Sequence, residues 1–162
     1  MTEHQLKNLT ADVRTILSVL ESESVALSVM LAGDVLMTRL NWSALRRRGT
    51  TDVLSFPQET VLLAREADCL TSGSTGRRAA IGALKKLRYQ RRPVPVLLGD
   101  IVISVPQARR QAKEQGIPLS AEMRRLIVHG VAHLLGFDHE RGDRAEAAMH
   151  QFEDHLLARI RE

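Results

Sequence analysis

Hydrophobic positions in the first third of the chain predict a helix, a strand, a second helix and a second strand. Between residues 6 and 20 apolar side chains recur with a helical period, at Leu6, Leu9, Val13, Ile16, Leu17 and Leu20. From residue 25 to residue 31 every second position is a large aliphatic one, which indicates a strand. Gly33 and Asp34 predict a turn and N-cap for a helix over residues 35–45. Another strand is expected over residues 52–56, ended by Pro57.

The second half of the chain predicts a core strand followed by three helices. Residues 96–104 are rich in β-branched and aliphatic side chains, which indicates a buried strand. Pro106 opens a helix that ends at Gly116. Ser120 is the expected N-cap of the next helix, with Glu122 near its positive end, and the last helix is expected over residues 144–160. The pattern predicts an α+β fold in which a small mixed sheet of about four strands packs against helices.

Length and composition limit the chain to a small globular protein. With 162 residues, of which 44% are hydrophobic, it is expected to form a single domain over residues 1–162. Its one cysteine, Cys69, allows no intrachain disulfide, and we expect it to be a bystander rather than a metal ligand. The sequence contains no run of about 18 apolar residues, and residues 1–5 lack the basic start and apolar stretch expected of a secretory leader. We therefore expect a cytoplasmic location and no membrane partner.

Positive charge indicates an anionic partner. The formal net charge is +4 and the sequence pI is about 9.8. Residues 71–95 carry basic residues and no acidic one: Arg77, Arg78, Lys85, Lys86, Arg88, Arg91 and Arg92. This stretch is either an electrostatic arm for RNA or a solvated surface segment. Aromatic residues make up only 3% of the chain, which favours contacts to backbone and shape over base stacking.

Three histidines within residues 129–139 predict a catalytic metal site. His129 and His133 are four residues apart, so on a helix they share a face. Gly136 allows the chain to leave that helix through a left-handed turn, which lets His139 return over the same face. Three neutral imidazoles leave a fourth zinc position open, as catalytic sites do. His150 and His155 are five residues apart, about 500 degrees around a helix, and are not expected to join this site.

The spacing matches the metzincin pattern H-E-x-x-H-x-x-G-x-x-H, but the general base of that pattern is missing. Gly130 occupies the position of the glutamate. A glycine cannot accept a proton, so the peptidase interpretation loses its base while the metal ligands remain. Asp138, beside His139, is a candidate for proton transfer. Its alternative role is to accept a hydrogen bond from a ligand histidine or to cap the local turn.

Three ordered motifs carry a resemblance to a known family. Residues 129–139 fit the signature H-G-x-x-H-L-x-G-[YF]-D-H throughout, residues 40–41 and 51–57 give LN followed by TDVLSFP, and residues 98–104 give LGDIVIS. The chain thus resembles the YbeY-type rRNA maturation endoribonucleases of bacteria over roughly residues 25–158, interrupted by a basic insertion at about residues 59–95.

This resemblance implies a function and a set of site residues. It implies a zinc-dependent endoribonuclease that cleaves single-stranded RNA and acts in 16S rRNA 3'-end maturation and ribosome quality control. The implied metal is one Zn²⁺ held by His129, His133 and His139. The implied partners are an rRNA precursor of the small ribosomal subunit and possible ribosomal proteins.

The departures from the family concern residues near the expected active site. The family usually has an arginine four residues after the Leu-Asn pair, where this chain has Leu45 followed by Arg46. Arg46 replaces that catalytic arginine only if the helix ends or bends near Leu45, because one residue turns a helical side chain by about 100 degrees. Ser55 is expected to contact substrate, Phe56 to pack in the core and Asp100 to fix a turn or a backbone amide.

Two further interpretations stay open. One is a ribosome-associated metal-binding factor without nuclease activity, and the other is a metal-dependent hydrolase of a small substrate, which the basic charge disfavours. Three imidazoles also accept nickel, copper or iron, so the identity of the metal is left open.

Overall fold

The computed structural model describes residues 2–20, 25–58, 96–139 and 142–160. These ranges contain five helices and three strands, in the order α1 (Glu3–Val19), β1 (Val25–Ala32), α2 (Asp34–Leu45), β2 (Val53–Pro57), β3 (Val96–Ser104), α3 (Val105–Gln115), α4 (Leu119–Leu134) and α5 (Asp143–Ile160). The predicted α+β class is confirmed. The expected basic insertion at about residues 59–95, with Cys69, lies outside the described residues. The single-domain organisation stays a prediction.

The sheet is mixed, and its central strand is β3, the one that the sequence predicted as a core strand. Its order is β1-β3-β2, with β1 parallel and β2 antiparallel to β3. Ile101 on β3 is opposite Val29 on one side and Ser55 on the other. The described part of the chain therefore holds three sheet strands where about four were predicted.

Helices cover both faces of the sheet, because successive residues of β3 point to opposite faces. Ile101 and Ile103 face α4, the central helix, which also contacts α1, α3 and α5. Val102 points the other way and packs with Met37 of α2. The larger core joins buried residues of α4 and α5 to the sheet, including Leu126, Ile127, Val131, Leu134, Met149, Phe152 and Leu156. This packing holds α4 against the sheet, where it contacts both β3 and β2.

Helix ends follow the predicted signals in α3 but not in α4. In α3 the Ser104 hydroxyl accepts a hydrogen bond from the Gln107 amide at 3.2 Å, and Gly116 ends the helix in a left-handed conformation. The prediction that Ser120 caps α4 was wrong. The carbonyl of Pro118 accepts the first hydrogen bonds, from the amides of Ala121 and Glu122, so the helix begins at Leu119 and Ser120 lies inside it.

Glu122 is a fully buried carboxylate in the first turn of α4. Arg125, one turn later, donates to both of its oxygens at 2.9 and 2.7 Å. A forked arginine–carboxylate pair satisfies the buried charge through two parallel hydrogen bonds. The same guanidinium lies 4.0 Å from Asp52, so the pair links the buried side of α4 to the segment before β2.

Candidate metal centre

Helix α4 and the turn after it bring the three predicted histidines together. His129 and His133 project from the same face of α4, and Gly136, with a φ of 89°, turns the chain so that His139 comes back beside them. One ligand nitrogen from each ring lies within 4.8 Å of the others. The ring centroids are 4.6 Å apart for His129 and His133, and 5.7 and 5.4 Å from His139 to each of these. The structure thus assembles the trio that the spacing predicts.

The outer nitrogens of the two α4 histidines are held by acceptors. His129 Nδ1 lies 2.8 Å from Glu153 Oε1, and His133 Nδ1 lies 3.0 Å from the carbonyl oxygen of Phe137. An ionised carboxylate and a carbonyl only accept hydrogen bonds, so each Nδ1 carries the hydrogen. In the neutral rings both Nε2 atoms then present lone pairs.

Those two Nε2 atoms are 3.1 Å apart. Two lone pairs facing each other at this distance repel unless a proton or a cation lies between them. Burial, together with the charges of His129 and His139, lowers the pKa of His133, which disfavours the proton. A tetrahedral zinc ion with bonds of about 2.0–2.1 Å places its ligand nitrogens about 3.3 Å apart. The donor set therefore fits a divalent cation held by neutral imidazoles.

Glu153 is a site residue that the sequence analysis missed. It lies on α5, and its carboxylate fixes the hydrogen and the orientation of the His129 ring. A signal for it exists in the sequence, because Glu153 falls in the stripe of Met149, Phe152 and Leu156 that forms the buried face of α5. An acidic residue in such a stripe requires a polar partner.

Gly130 fills the position where a metzincin has its glutamate, and the packing explains why. A Cβ atom at this position would lie 2.9 Å from both Cδ1 and Cγ2 of Ile101. At residue 130 the backbone of α4 lies so close to β3 that only a residue without a side chain fits without a shift. Ser55 Oγ donates to the Gly130 carbonyl at 3.3 Å, which ties β2 to the same turn of α4.

An open cleft leads from the histidines along β2 to the end of α2. Its lining includes Arg47 and Arg48 and, next to His139, the half-buried Asp138. The Asn41 amide donates to the Gly49 carbonyl at 3.0 Å and so anchors the segment that carries these arginines. The cleft thus contains cationic side chains as well as the candidate metal ligands.

Asp52 adds a negative charge to the wall of this cleft. Burial raises the pKa of Asp52, but hydrogen bonds from the Gln111 amide and the Val53 backbone outweigh it and the net pKa is lowered. Asp52 is therefore ionised at neutral pH, and the nearby Arg125 offsets its charge.

Arg46 takes a different place from the one that its proposed role requires. Helix α2 does end at Leu45, but Arg46 has a left-handed backbone with a φ of 56°, and its guanidinium carbon lies 5.9 Å from the centroid of the Trp42 ring. Arg46 does not line the cleft, whereas Arg47 and Arg48 do. Its catalytic role stays a prediction, and the geometry favours its two neighbours.

The remaining candidates have structural partners. Phe56 is partly buried against the α2 side of the sheet, in keeping with the packing role predicted for it. Asp100 accepts a hydrogen bond from the Gln58 side-chain amide at 2.9 Å, and its expected role of fixing a turn or a backbone amide stays a prediction. His150 is exposed on α5, away from the trio. In the described ranges no helix is both long and apolar enough to cross a bilayer.

Comparison with known proteins agrees with this geometry. The family model described as Endoribonuclease YbeY matches residues 1–161. Proteins named Endoribonuclease YbeY are 33% identical in Persephonella marina, over 92% of this chain and 79% of that protein, and 38% identical in Leptospira interrogans, over 85% and 89%. A chloroplastic Endoribonuclease YBEY of Arabidopsis thaliana is 39% identical over 85% of this chain and 19% of its own length.

A solved structure supports the fold. The solution structure of a Thermotoga maritima protein aligns with a TM-score of 0.59 at 19% identity, covering 99% of this chain and 83% of that one. The family match over nearly the whole chain, together with relatives above 30% identity, decides the assignment. The chain belongs to the YbeY family of endoribonucleases, enzymes that hydrolyse phosphodiester bonds in RNA.

Proposed function

We propose that this chain is a metal-dependent endoribonuclease that cleaves single-stranded RNA in the maturation of the 16S rRNA 3' end and in ribosome quality control. The observation that carries the proposal is the convergence of His129, His133 and His139 at a cleft that Arg47 and Arg48 also line. A metal cation in a cleft that also holds two arginines suits a polyanionic substrate whose reacting phosphate gains charge in the transition state.

Zinc is the cofactor that we propose, as one ion. The three imidazoles are borderline-soft nitrogen donors, and two of them are fixed as neutral Nε2 ligands by Glu153 and the Phe137 carbonyl. When bound, a divalent cation supplies Lewis acidity to a phosphoryl oxygen. Of the three histidines His139 is exposed, so the site is accessible from the cleft.

The chain's own residues bind and orient the substrate. Arg47 and Arg48 line the cleft and offset negative charge on the RNA backbone, and Ser55 holds β2 against α4 at the cleft floor. Asp138 lies on the cleft wall next to His139 and remains the candidate for proton transfer. The net charge of +4 supports an rRNA precursor within the small ribosomal subunit as the substrate, with ribosomal proteins as further partners. The expected cytoplasmic location stays a prediction.

Removal of the metal tests the proposed activity. Protein purified without a polyhistidine tag is incubated with labelled single-stranded RNA, with and without a chelator. We expect cleavage that the chelator abolishes and stoichiometric Zn²⁺ restores, because the trio is the only metal-capable group found among the described residues. Cleavage that persists in the chelator would contradict the proposal. Binding of RNA with no cleavage at any metal loading would favour the metal-binding factor instead.

Loss of the Glu153 carboxylate is expected to weaken zinc binding. Glu153→Ala removes the acceptor that orients the His129 ring. Loss of a hydrogen bond to the outer nitrogen of a ligand histidine lowers metal affinity by about 10- to 100-fold. Glu153→Gln, which retains an acceptor but loses the charge, should have a smaller effect. Zinc affinity is measured by competition with a chromophoric chelator.

Asp154→Ala is the matched control for Glu153, because Asp154 is the adjacent acidic residue on α5 and is exposed. Its zinc affinity should stay close to that of the wild type. Equal affinities for Glu153→Ala and Asp154→Ala would show that the 2.8 Å contact does not organise the site.

A further inference from the structure

We propose that the indole of Trp42, with Arg46 against its ring, is a base-stacking subsite for single-stranded RNA at the outer end of the cleft. The inference rests on the proposed function and extends it, because it assigns a contact for a nucleotide away from the scissile bond. Residues 46–48 form what we call the arginine segment, and Trp42 lies one helical turn before it.

Trp42 is the only tryptophan of the chain, and 48% of it is exposed. Helix α2 nevertheless has a well-packed side, where Met37 and Asn41 are buried. A large aromatic side chain left outside a core that its own helix joins forgoes a substantial burial energy. Leu45, three residues after Trp42 on the same side of α2, is also exposed, and two exposed apolar side chains side by side mark an interaction surface.

The position of Trp42 on α2 connects this surface to the cleft. Asn41, Ala44 and Leu45 line the cleft, so the cleft side of α2 is adjacent to the side that carries Trp42. Trp42 is one residue, about 100 degrees, around the helix from Asn41. A strand that leaves the cleft past Arg47 and Arg48 therefore meets the end of α2 and then the indole.

The charges around Trp42 indicate which class of ligand this surface binds. Its ring is 5.9 Å from the guanidinium carbon of Arg46, and Arg39 lies three residues before it on the same face of α2. With Arg47 and Arg48, the arginines form a cationic path around an exposed π-face. A ligand that offers both a flat aromatic face and regular negative charge fits this surface, and single-stranded nucleic acid does so. A duplex hides the faces of its bases inside the stack.

The backbone conformation of Arg46 determines its place beside Trp42. Its left-handed φ of 56° is unusual for a residue other than glycine or asparagine at a helix C-cap. This conformation turns the chain at the end of α2 so that Arg46 lies over Trp42 while Arg47 and Arg48 face the cleft. The sparse aromatic content of the sequence disfavours base stacking in general, but the one tryptophan lies where a strand leaving the cleft would pass.

The test uses Trp42 both as the probe and as the variant. The full chain, with its metal removed by a chelator so that no cleavage proceeds, is titrated with a short single-stranded RNA and with the matching duplex. We expect the single strand to quench the tryptophan fluorescence of the wild type. Trp42→Ala should weaken single-strand affinity, measured by anisotropy of labelled RNA, by about 5- to 150-fold, as loss of one base–aromatic stack does. Trp42→Phe should retain most of the affinity, and duplex affinity should change little.

Leu36→Ala is the control, because it removes another exposed apolar side chain of α2 on a different face. It should bind the single strand as the wild type does, and all three variants should keep wild-type zinc affinity and thermal unfolding. If Trp42→Ala binds the single strand with wild-type affinity while the wild type cleaves RNA with zinc, the stacking subsite is overturned and the proposed function is not. An equal loss in Leu36→Ala would also overturn it, and would indicate a protein-docking face instead. The proposed function is judged separately, by zinc-dependent cleavage by the wild type.

Discussion

His133→Ala is expected to abolish metal binding by the trio and to reduce RNA cleavage by about 10³-fold or more, since a catalytic cation contributes several kcal/mol to transition-state stabilisation. His133 is the ligand between the other two, with its Nε2 atom 3.1 Å from that of His129. Removing it leaves two donors, too few to hold the ion against solvent. The rate constant of cleavage and the zinc content per chain measure both effects.

The stability of this variant should change much less than its activity. Alanine leaves the Phe137 carbonyl without the Nδ1 donor at 3.0 Å, which costs about 1–2 kcal/mol in the free energy of unfolding. The metal-free variant should therefore still unfold cooperatively, at a denaturant concentration modestly below that of the metal-free wild type. His150→Ala, at an exposed position of α5, is the matched histidine control and should retain both zinc and activity. Undiminished cleavage by His133→Ala would disprove the assignment of the ligand.

Gly130→Ala is expected to destabilise the fold even though alanine is the better helix former. The added Cβ would lie 2.9 Å from two carbons of Ile101, a side chain with no exposed surface, so α4 or β3 must shift. Overpacking of this kind destabilises a protein by about 1–3 kcal/mol. The higher helix propensity of alanine offsets up to about 1 kcal/mol of that loss. We expect a net loss of about 1–2 kcal/mol in the free energy of unfolding, measured by urea denaturation.

A double-mutant cycle with Ile101→Ala isolates this contact. Ile101→Ala removes all three carbons that the new Cβ would meet, and in that background Gly130→Ala should become neutral or stabilising. Gly130→Glu, which recreates the metzincin sequence, should destabilise the protein more strongly, because it also buries a carboxylate, and should confer no peptidase activity. If Gly130→Ala stabilises the wild-type background, the close approach of α4 to β3 does not explain the glycine.

The local part of the site could be predicted from the sequence. The spacing of His129, His133 and His139 follows from the helical repeat and one left-handed turn, so it needs no knowledge of the rest of the fold. The α3 cap at Gly116 is local in the same way. Strand β3 was identified over Val96–Ser104 because a run of aliphatic residues between two breaks has few other interpretations.

What escaped prediction depends on contacts between distant segments. Glu153 reaches His129 from 24 residues away, and only the packing of α5 on α4 brings them together. The crowding of Gly130 by Ile101 requires the distance between helix and sheet. The placement of Arg46 on Trp42 depends on a backbone conformation that a non-glycine residue seldom adopts. Hydrophobic periodicity predicts none of these contacts, because it shows which face of a helix or strand is buried and not which other segment packs against that face.

The central claim is that three histidines hold one divalent cation and leave a coordination position for the reaction. X-ray absorption at the zinc edge, on full-length protein purified without a polyhistidine tag and loaded with one Zn²⁺, tests it most directly. We expect three imidazole nitrogens at about 2.0–2.1 Å from the zinc and a fourth light atom whose signal changes when an anion is added. In His139→Ala the imidazole signal should be reduced. A sphere closed by four protein ligands, or one unchanged in His139→Ala, would contradict it.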